Sequence, residues 1–196
     1  MKKVAIVGAG ISGLFIANLF KKNPNYKITI YEKNTSIALE EGYGIQLSVN
    51  SIKFLNEIGF EKFDNNEKFN PEKINFYLNK SQKKMCELDI SEFNSANCRY
   101  TTLKRSSLIN FLKKDLEDQI KTGYDISKID HHDKQIKLSF KNNEVNECDY
   151  LIISDGIFSK CKSLISNKQT KPKYNDTLAI RGILTKSFEK IDNKNI

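Results

Sequence analysis

The chain has 196 residues, 39 % of them hydrophobic, and a formal net charge of +8 at pH 7. That length suits one full domain, or one domain carrying pieces of a second, and the apolar content is enough for a real core. Only three of the 32 basic residues are arginines (Arg99, Arg105 and Arg181), and the lysines are scattered among Asn and Ile. The charge therefore reads as a solvated surface and not as a nucleic-acid stripe.

The chain opens Met1-Lys2-Lys3 and then turns apolar, which superficially imitates a signal peptide. Glycines interrupt the segment and Lys21-Lys22 ends it, so a membrane span is not expected. Val4 to Val7 reads instead as a strand buried on both faces of a parallel sheet. Gly8-Ala9-Gly10-Ile11-Ser12-Gly13 follows, a G-x-G-x-x-G. Leu14, Ala17 and Leu19 then recur near helical spacing until Asn23-Pro24-Asn25 stops the helix. Lys27 to Tyr31 gives a second strand, ending at Glu32.

Each part has a physical job. Gly8 permits the tight turn out of the strand, Gly10 lets a pyrophosphate approach the backbone, and Gly13 lets the helix pack on the sheet. The helix N-terminus presents unpaired N–H groups and the positive end of its dipole to phosphates. The Glu32 carboxylate can accept the hydroxyls of an adenosine ribose and would repel a 2′-phosphate. The glycines alone are weak evidence; strand, glycines, helix, strand and acid in this order are strong evidence for a dinucleotide unit. The unit fits FAD and NAD proteins alike.

Glu40 to Ser48 brings two glycines around Tyr43 and reads as a loop. Ser51 to Ile58 is predicted helical, with Gly59 as its stop. INFYLN and KKMCELDI, within Lys73 to Ile90, read as a hairpin around Asn79 to Gln82 and belong to a second sheet. Arg99 to Leu103 is strand-like. A helix is expected from Leu108 to Ile120, capped by Ser106 or Ser107, with Arg105 beside its start. A scarce Arg there fits a bidentate anion contact or a surface ion pair equally well. Tyr124 to Ile129 and Gln135 to Phe140 form another hairpin, with His131 and His132 in its exposed turn. Cys86, Cys98, Cys148 and Cys161 make no C-x-x-C pair, so reduced thiols and no metal site are expected. Tyr150 to Ile153 reads as a buried parallel strand beside the first. Asp155-Gly156 would then sit at its C-terminal end, where open α/β sheets bind ligands. A short helix is expected from Ser159 to Ile165.

Three stretches together resemble the FAD-dependent aromatic-ring monooxygenases of the p-hydroxybenzoate hydroxylase, salicylate hydroxylase and ubiquinone-biosynthesis hydroxylase type. They are VAIVGAGISGLFIANLF with ITIYEKN, then GYGIQLSVNSIKFLNEIG, then YTTLKRSSLINFL with DYLIISDGIFSKCKS. The resemblance runs from residue 2 to about 185. It implies a Rossmann-like α/β FAD-binding domain of the glutathione-reductase type, residues 1–70 and 95–170. Residues 71–94 and 171–196 would form an inserted antiparallel sheet from an incomplete substrate domain. Gly8, Gly10, Ser12, Gly13, Glu32 and Lys33 would hold the ADP half of FAD, Lys33 standing where Arg is frequent. Arg105 would contact FAD, and Asp155 and Gly156 would lie by its pyrophosphate and the passage of NAD(P)H. Ser154 replaces a usual Ala. Thr177 to Leu184 resembles the strand that leads to the substrate domain.

The implied activity is hydroxylation of a small aromatic substrate with NAD(P)H and O₂ by a cytoplasmic protein. No side chain here has a defensible catalytic acid, base or nucleophile role. Members of the family continue well past this length with a later Gly-Asp motif, so a truncated chain is expected. The alternatives are a related FAD-dependent reductase or halogenase on the same fold, or a non-catalytic nucleotide-binding chain. A plain NAD-dependent dehydrogenase is disfavoured by the second and third stretches.

Overall fold

The computed structural model describes residues 1–37, 39, 44–132, 135–166, 168 and 171–180. In chain order its elements are β1 (Lys2–Val7), α1 (Ile11–Lys21), β2 (Tyr26–Glu32), β3 (Gly44–Leu47), α2 (Val49–Asn56), β4 (Lys68–Phe69), β5 (Lys73–Tyr77) and β6 (Lys84–Asp89). They continue with β7 (Thr101–Lys104), α3 (Arg105–Lys113), β8 (Ile120–Thr122), β9 (Ile126–His132), β10 (Gln135–Phe140), β11 (Val145–Cys148), β12 (Tyr150–Ile153) and α4 (Lys160–Ser166). The chain divides into two compact units, Met1–Glu41 with Ile109–Ala179, and Gly42–Leu108 with Ile180–Ile196.

The first unit is built on a parallel sheet ordered β12-β1-β2-β8. The apolar run of β1 is its centre: Val4 to Val7 pair with Tyr150 to Ile153 on one side and with Ile28 to Tyr31 on the other. Successive side chains alternate faces. Ala5, Val7 and Tyr31 pack with Leu138, Phe140, Cys148 and Cys161, so the antiparallel sheet β11-β10-β9 and α4 cover one face. On the helix side, Leu14 and Ala17 of α1 are fully buried, as are Ile109 and Leu112 of α3. The Asn18 amide donates to Leu14 O at 2.9 Å and to Leu112 O at 2.7 Å, tying α1 to α3. Burial raises the Cys148 thiol to about 11, and burial followed by the charge of Asp155 raises Cys161 to about 12, so both stay protonated.

The second unit holds the antiparallel sheet β3-β7-β4 and the separate hairpin β5-β6. Its core includes Ile52, Leu55, Phe60, Leu103 and Leu108. The Asn70 amide reaches the buried Thr101 hydroxyl at 2.8 Å.

Several sequence expectations need correction. The helix expected over Leu108–Ile120 ends at Lys113, and it begins at Arg105, with Ser106 and Ser107 inside its first turn and not capping it. Asp115 takes a left-handed φ of +62°, which breaks the helix, and Ile120 leaves it to pair in parallel with Ile30. Sheet pairing overrides the apolar periodicity there. His131 and His132 end strand β9 and do not form a turn, though both are exposed. β12 is half-exposed and not buried, because it is the edge of the described sheet. Gly44–Leu47 is a strand and not a loop, paired with β7. Thr177 to Ile180 has no strand, and residues 181–184 lie outside the described residues, as do Glu40 to Tyr43 and residues 133 and 134.

Leu138 is fully buried between the two sheets of the first unit. Leu138→Ala is expected to cost about 2–5 kcal/mol in urea unfolding.

Candidate dinucleotide site

The C-terminal ends of β1, β2 and β12 lie side by side in one parallel register, and each delivers part of the site. Gly8 leaves β1 with φ +104°, a backbone state L side chains rarely adopt. Its N–H donates to Tyr31 O at 2.8 Å, closing the turn against β2. A Cβ on Gly8 would meet Ser154 O at 2.4 Å, so the turn is pressed against the end of β12. A Cβ on Gly13 would lie 2.0 Å from Gly8 O. That contact, available only to glycine, seats the first turn of α1 directly on the loop.

Gly10 differs from its neighbours. Nothing lies within 4 Å of a Cβ built there, so the space beside it is open. It is the N-cap of α1, with no side-chain cap and no acid in the first turn. The first-turn N–H groups of a helix have no intrahelical partners. Here no side chain caps them and the first turn carries no acid of its own, and Ser12 is exposed among them. An uncapped helix start beside an open glycine is a receptor for a phosphate anion.

Glu32 closes the tip of β2. Its Oε2 accepts the Ala9 N–H at 3.0 Å and its Oε1 accepts the Asn34 N–H at 3.0 Å. The carboxylate therefore latches the middle of the glycine loop to the second strand. Each carboxylate oxygen keeps a further lone-pair site, enough to accept ribose hydroxyls. The latch on Ala9 was not legible in the sequence, which pointed to Glu32 only as a ribose ligand. Lys33 follows, exposed.

Asp155 sits beside this loop through its backbone, since its Cα would be 3.1 Å from a Cβ on Gly8. Its side chain turns to α4, where Oδ2 accepts the Cys161 N–H at 3.0 Å. Partial desolvation pushes the Asp155 carboxyl up, but hydrogen bonds from Ser159 and from the Cys161 N–H outweigh it and hold the group below the usual Asp range. Gly156 has φ +82° and open space around it. Arg105, the first residue of α3, belongs to the second unit. Among the described residues no group of His, Cys, Asp and Glu could hold a metal ion, and no helix is long and apolar enough to cross a membrane.

With this geometry in place, residues 6–40 match the family described as NAD(P)-binding Rossmann-like domain. A FAD-dependent monooxygenase, anuJ, of Penicillium roqueforti is 27 % identical over 172 residues, covering 82 % of this chain and 21 % of that protein. The 6-hydroxynicotinate 3-monooxygenase of Bordetella bronchiseptica is 22 % identical over 184 residues, covering 92 % of this chain and 47 % of that protein. Among solved structures, Klebsiella pneumoniae HpxO complexed with FAD and uric acid superposes with a TM-score of 0.71 at 19 % identity, over 83 % of this chain and 41 % of that one. The chain is related to the FAD-dependent monooxygenases. It corresponds to their N-terminal part and spans less than half the length of each of these three relatives.

Two stability outcomes follow from the geometry. Gly13→Ala forces a Cβ onto backbone and is expected to cost about 2–3 kcal/mol in chemical denaturation. The depressed carboxyl of Asp155 contributes stability above its unfolded-state pKa, lost as pH falls through the folded value. Unfolding midpoints followed from about pH 7 to about pH 3 should therefore fall less steeply for Asp155→Asn than for the parent chain.

Proposed function

We propose that this chain is the FAD-binding part of a flavoprotein monooxygenase that uses NAD(P)H and O₂ to hydroxylate an aromatic or similar small substrate. The observation that carries the reading is the Glu32 latch, a carboxylate gripping Ala9 N–H beside an uncapped helix start and an open Gly10. The three fit the parts of an adenine dinucleotide in order: ribose at Glu32, pyrophosphate at Gly10 and the N–H groups of α1, with Ser12 within the same turn. The kinship with FAD-dependent monooxygenases supports FAD over NAD as that dinucleotide.

FAD, when bound, supplies the redox chemistry that activates O₂ for insertion into an electron-rich ring. The chain's own residues bind and orient. Gly8 and Gly13 shape the loop, and the Gly13 N–H is one of the first-turn groups of α1 that would face the diphosphate. Gly10 leaves room for the diphosphate. Glu32 holds the loop and accepts from the ribose, and Lys33 flanks it. Asp155 fixes α4 with its side chain while its backbone lies against Gly8, and with Gly156 it is assigned to the pyrophosphate and the passage of NAD(P)H. Arg105 is assigned as a further FAD contact on the strength of the resemblance alone.

The test is a fluorescence titration of the purified chain with FAD, with NADH as the competing ligand. Saturable quenching of FAD with a bound visible spectrum is expected. Gly10→Ala meets no atom in the structure and should cost less than about 1 kcal/mol of stability, yet weaken FAD binding at least about tenfold, or about 1.4 kcal/mol. Glu32→Ala should do the same to binding while loosening the loop. A chain that binds NADH and takes up no FAD would sink the proposal in favour of a nicotinamide-binding unit.

A further inference from the structure

The opposite end of the same sheet carries a second feature that the dinucleotide does not use. A crevice of about 990 Å³ opens under the N-terminal ends of β1 and β2 in the first unit. Its outer end, at Lys3 and Lys27, lies four residues before Val7 and Tyr31, about 13 Å along the strands; its inner end reaches Tyr31, whose carbonyl accepts the Gly8 N–H. It arises because β11, at the edge of the antiparallel sheet, overhangs the parallel sheet there. Cys148 of β11 is in the shared core; Asn146, two residues earlier and on the same strand face, lines the crevice.

Four lysines line it, Lys3, Lys21, Lys27 and Lys121, against two carboxylates, Asp118 and Glu147. In the β1–β2 register Lys3 stands directly beside Lys27, and Ala5 beside Thr29. Lys121 stands beside Tyr31 in the β2–β8 register. The three lysines thus project from one face of the sheet, the face that β11 overhangs. Like charges placed directly across neighbouring strands are unfavourable without a counter-charge. Among the described residues neither Lys3 nor Lys27 makes an ion pair, and the acid that acts on Lys3, Asp149, is paired with Lys2 and with the Lys3 backbone N–H. Lys121 lies over the Tyr124 ring at 5.3 Å.

A second, independent observation points the same way. The Asn146 Nδ2 group is buried with no hydrogen-bond partner, and it belongs to a residue that lines this crevice. Leaving a buried donor unmade costs about 1–3 kcal/mol, so a natural chain keeps one there at a cost unless something accepts from it. The Gln119 Oε1 acceptor, of a residue that also lines the crevice, is buried and unpartnered and calls for a hydroxyl donor on the same molecule. The floor is apolar, with Ala5 and the ring of Tyr31. A volume of this size exceeds an inorganic ion and suits a small organic molecule.

We propose that this crevice is a binding site for a small organic anion, its carboxylate or phosphate head held by Lys3, Lys27 and the Asn146 amide and its body lying over Ala5. The lysines that hold the head stand at the far end of the sheet from the dinucleotide loop, where an anionic metabolite would stabilise the strands. The Tyr31 hydroxyl, pushed up to about 12 first by burial, remains a neutral donor at the inner wall.

The experiment is an NMR titration of the ¹⁵N-labelled chain with citrate and, separately, with glycerol phosphate, at constant ionic strength. Saturable shifts of the Asn146 side-chain amide are expected with one or both probes, and the stronger of the two identifies the head group. Lys27→Gln, at an exposed position, should weaken binding about tenfold. Asn146→Leu should abolish it while leaving FAD uptake unchanged. Absence of a saturable shift with either probe would overturn the site. So would equal binding by the parent chain and Lys27→Gln, which would show ionic screening only.

Discussion

The missing Cβ of Gly13 is the constraint on which the rest of the first unit depends. The Gly8 carbonyl oxygen occupies the place where that Cβ would be, 2.0 Å away. Because it can, α1 starts immediately after the turn and lies flat on the parallel sheet. Its Leu14 and Ala17 then reach zero exposure. Were the helix lifted by one methyl group, the Asn18 bond to Leu112 O at 2.7 Å could not be kept, and α3 would lose its tie to α1. The glycine is thus a packing device first, and the room it leaves for a ligand is a by-product at its neighbour, Gly10.

Two carboxylates finish the loop in different ways. Glu32 spans from β2 to Ala9 and to Asn34, so one side chain fixes both the glycine turn and the chain leaving the second strand. Asp155 works outward, holding the N–H of Cys161 and so setting where α4 begins. Its backbone stays against Gly8. Both sit at the C-terminal ends of strands flanking or pairing with β1, where the parallel sheet opens to a ligand.

Much of this was legible because the relevant signals are local. The apolar run of Val4 to Val7, the three glycines and the acid at Glu32 are read by spacing, and the structure places each where the spacing demands. The parts that were not legible depend on long-range contacts. Ile120 continues the helical period from Leu112 and Leu116, but it is 90 residues from the strand residue, Ile30, with which it pairs. β11 is too short to stand out, and its identity as a strand comes from pairing with β10. The bond from the Cys161 N–H to the Asp155 carboxylate was not legible either, because only three-dimensional proximity reveals it. The link between Glu32 and Ala9 is of the same kind.

The two ends of the sheet therefore have different characters. The C-terminal end is built from backbone and two acids, Glu32 and Asp155, and suits phosphates and ribose hydroxyls. The N-terminal end is built from lysines and an unpaired amide. Whether the backbone between Gly8 and Gly13 receives the dinucleotide is measured by amide chemical shifts of the chain recorded with increasing FAD. The Gly10, Ile11, Ser12 and Gly13 amides are expected to move first and to saturate together with Ala9. Saturable shifts that spare these amides and fall elsewhere on the chain would contradict binding at this loop.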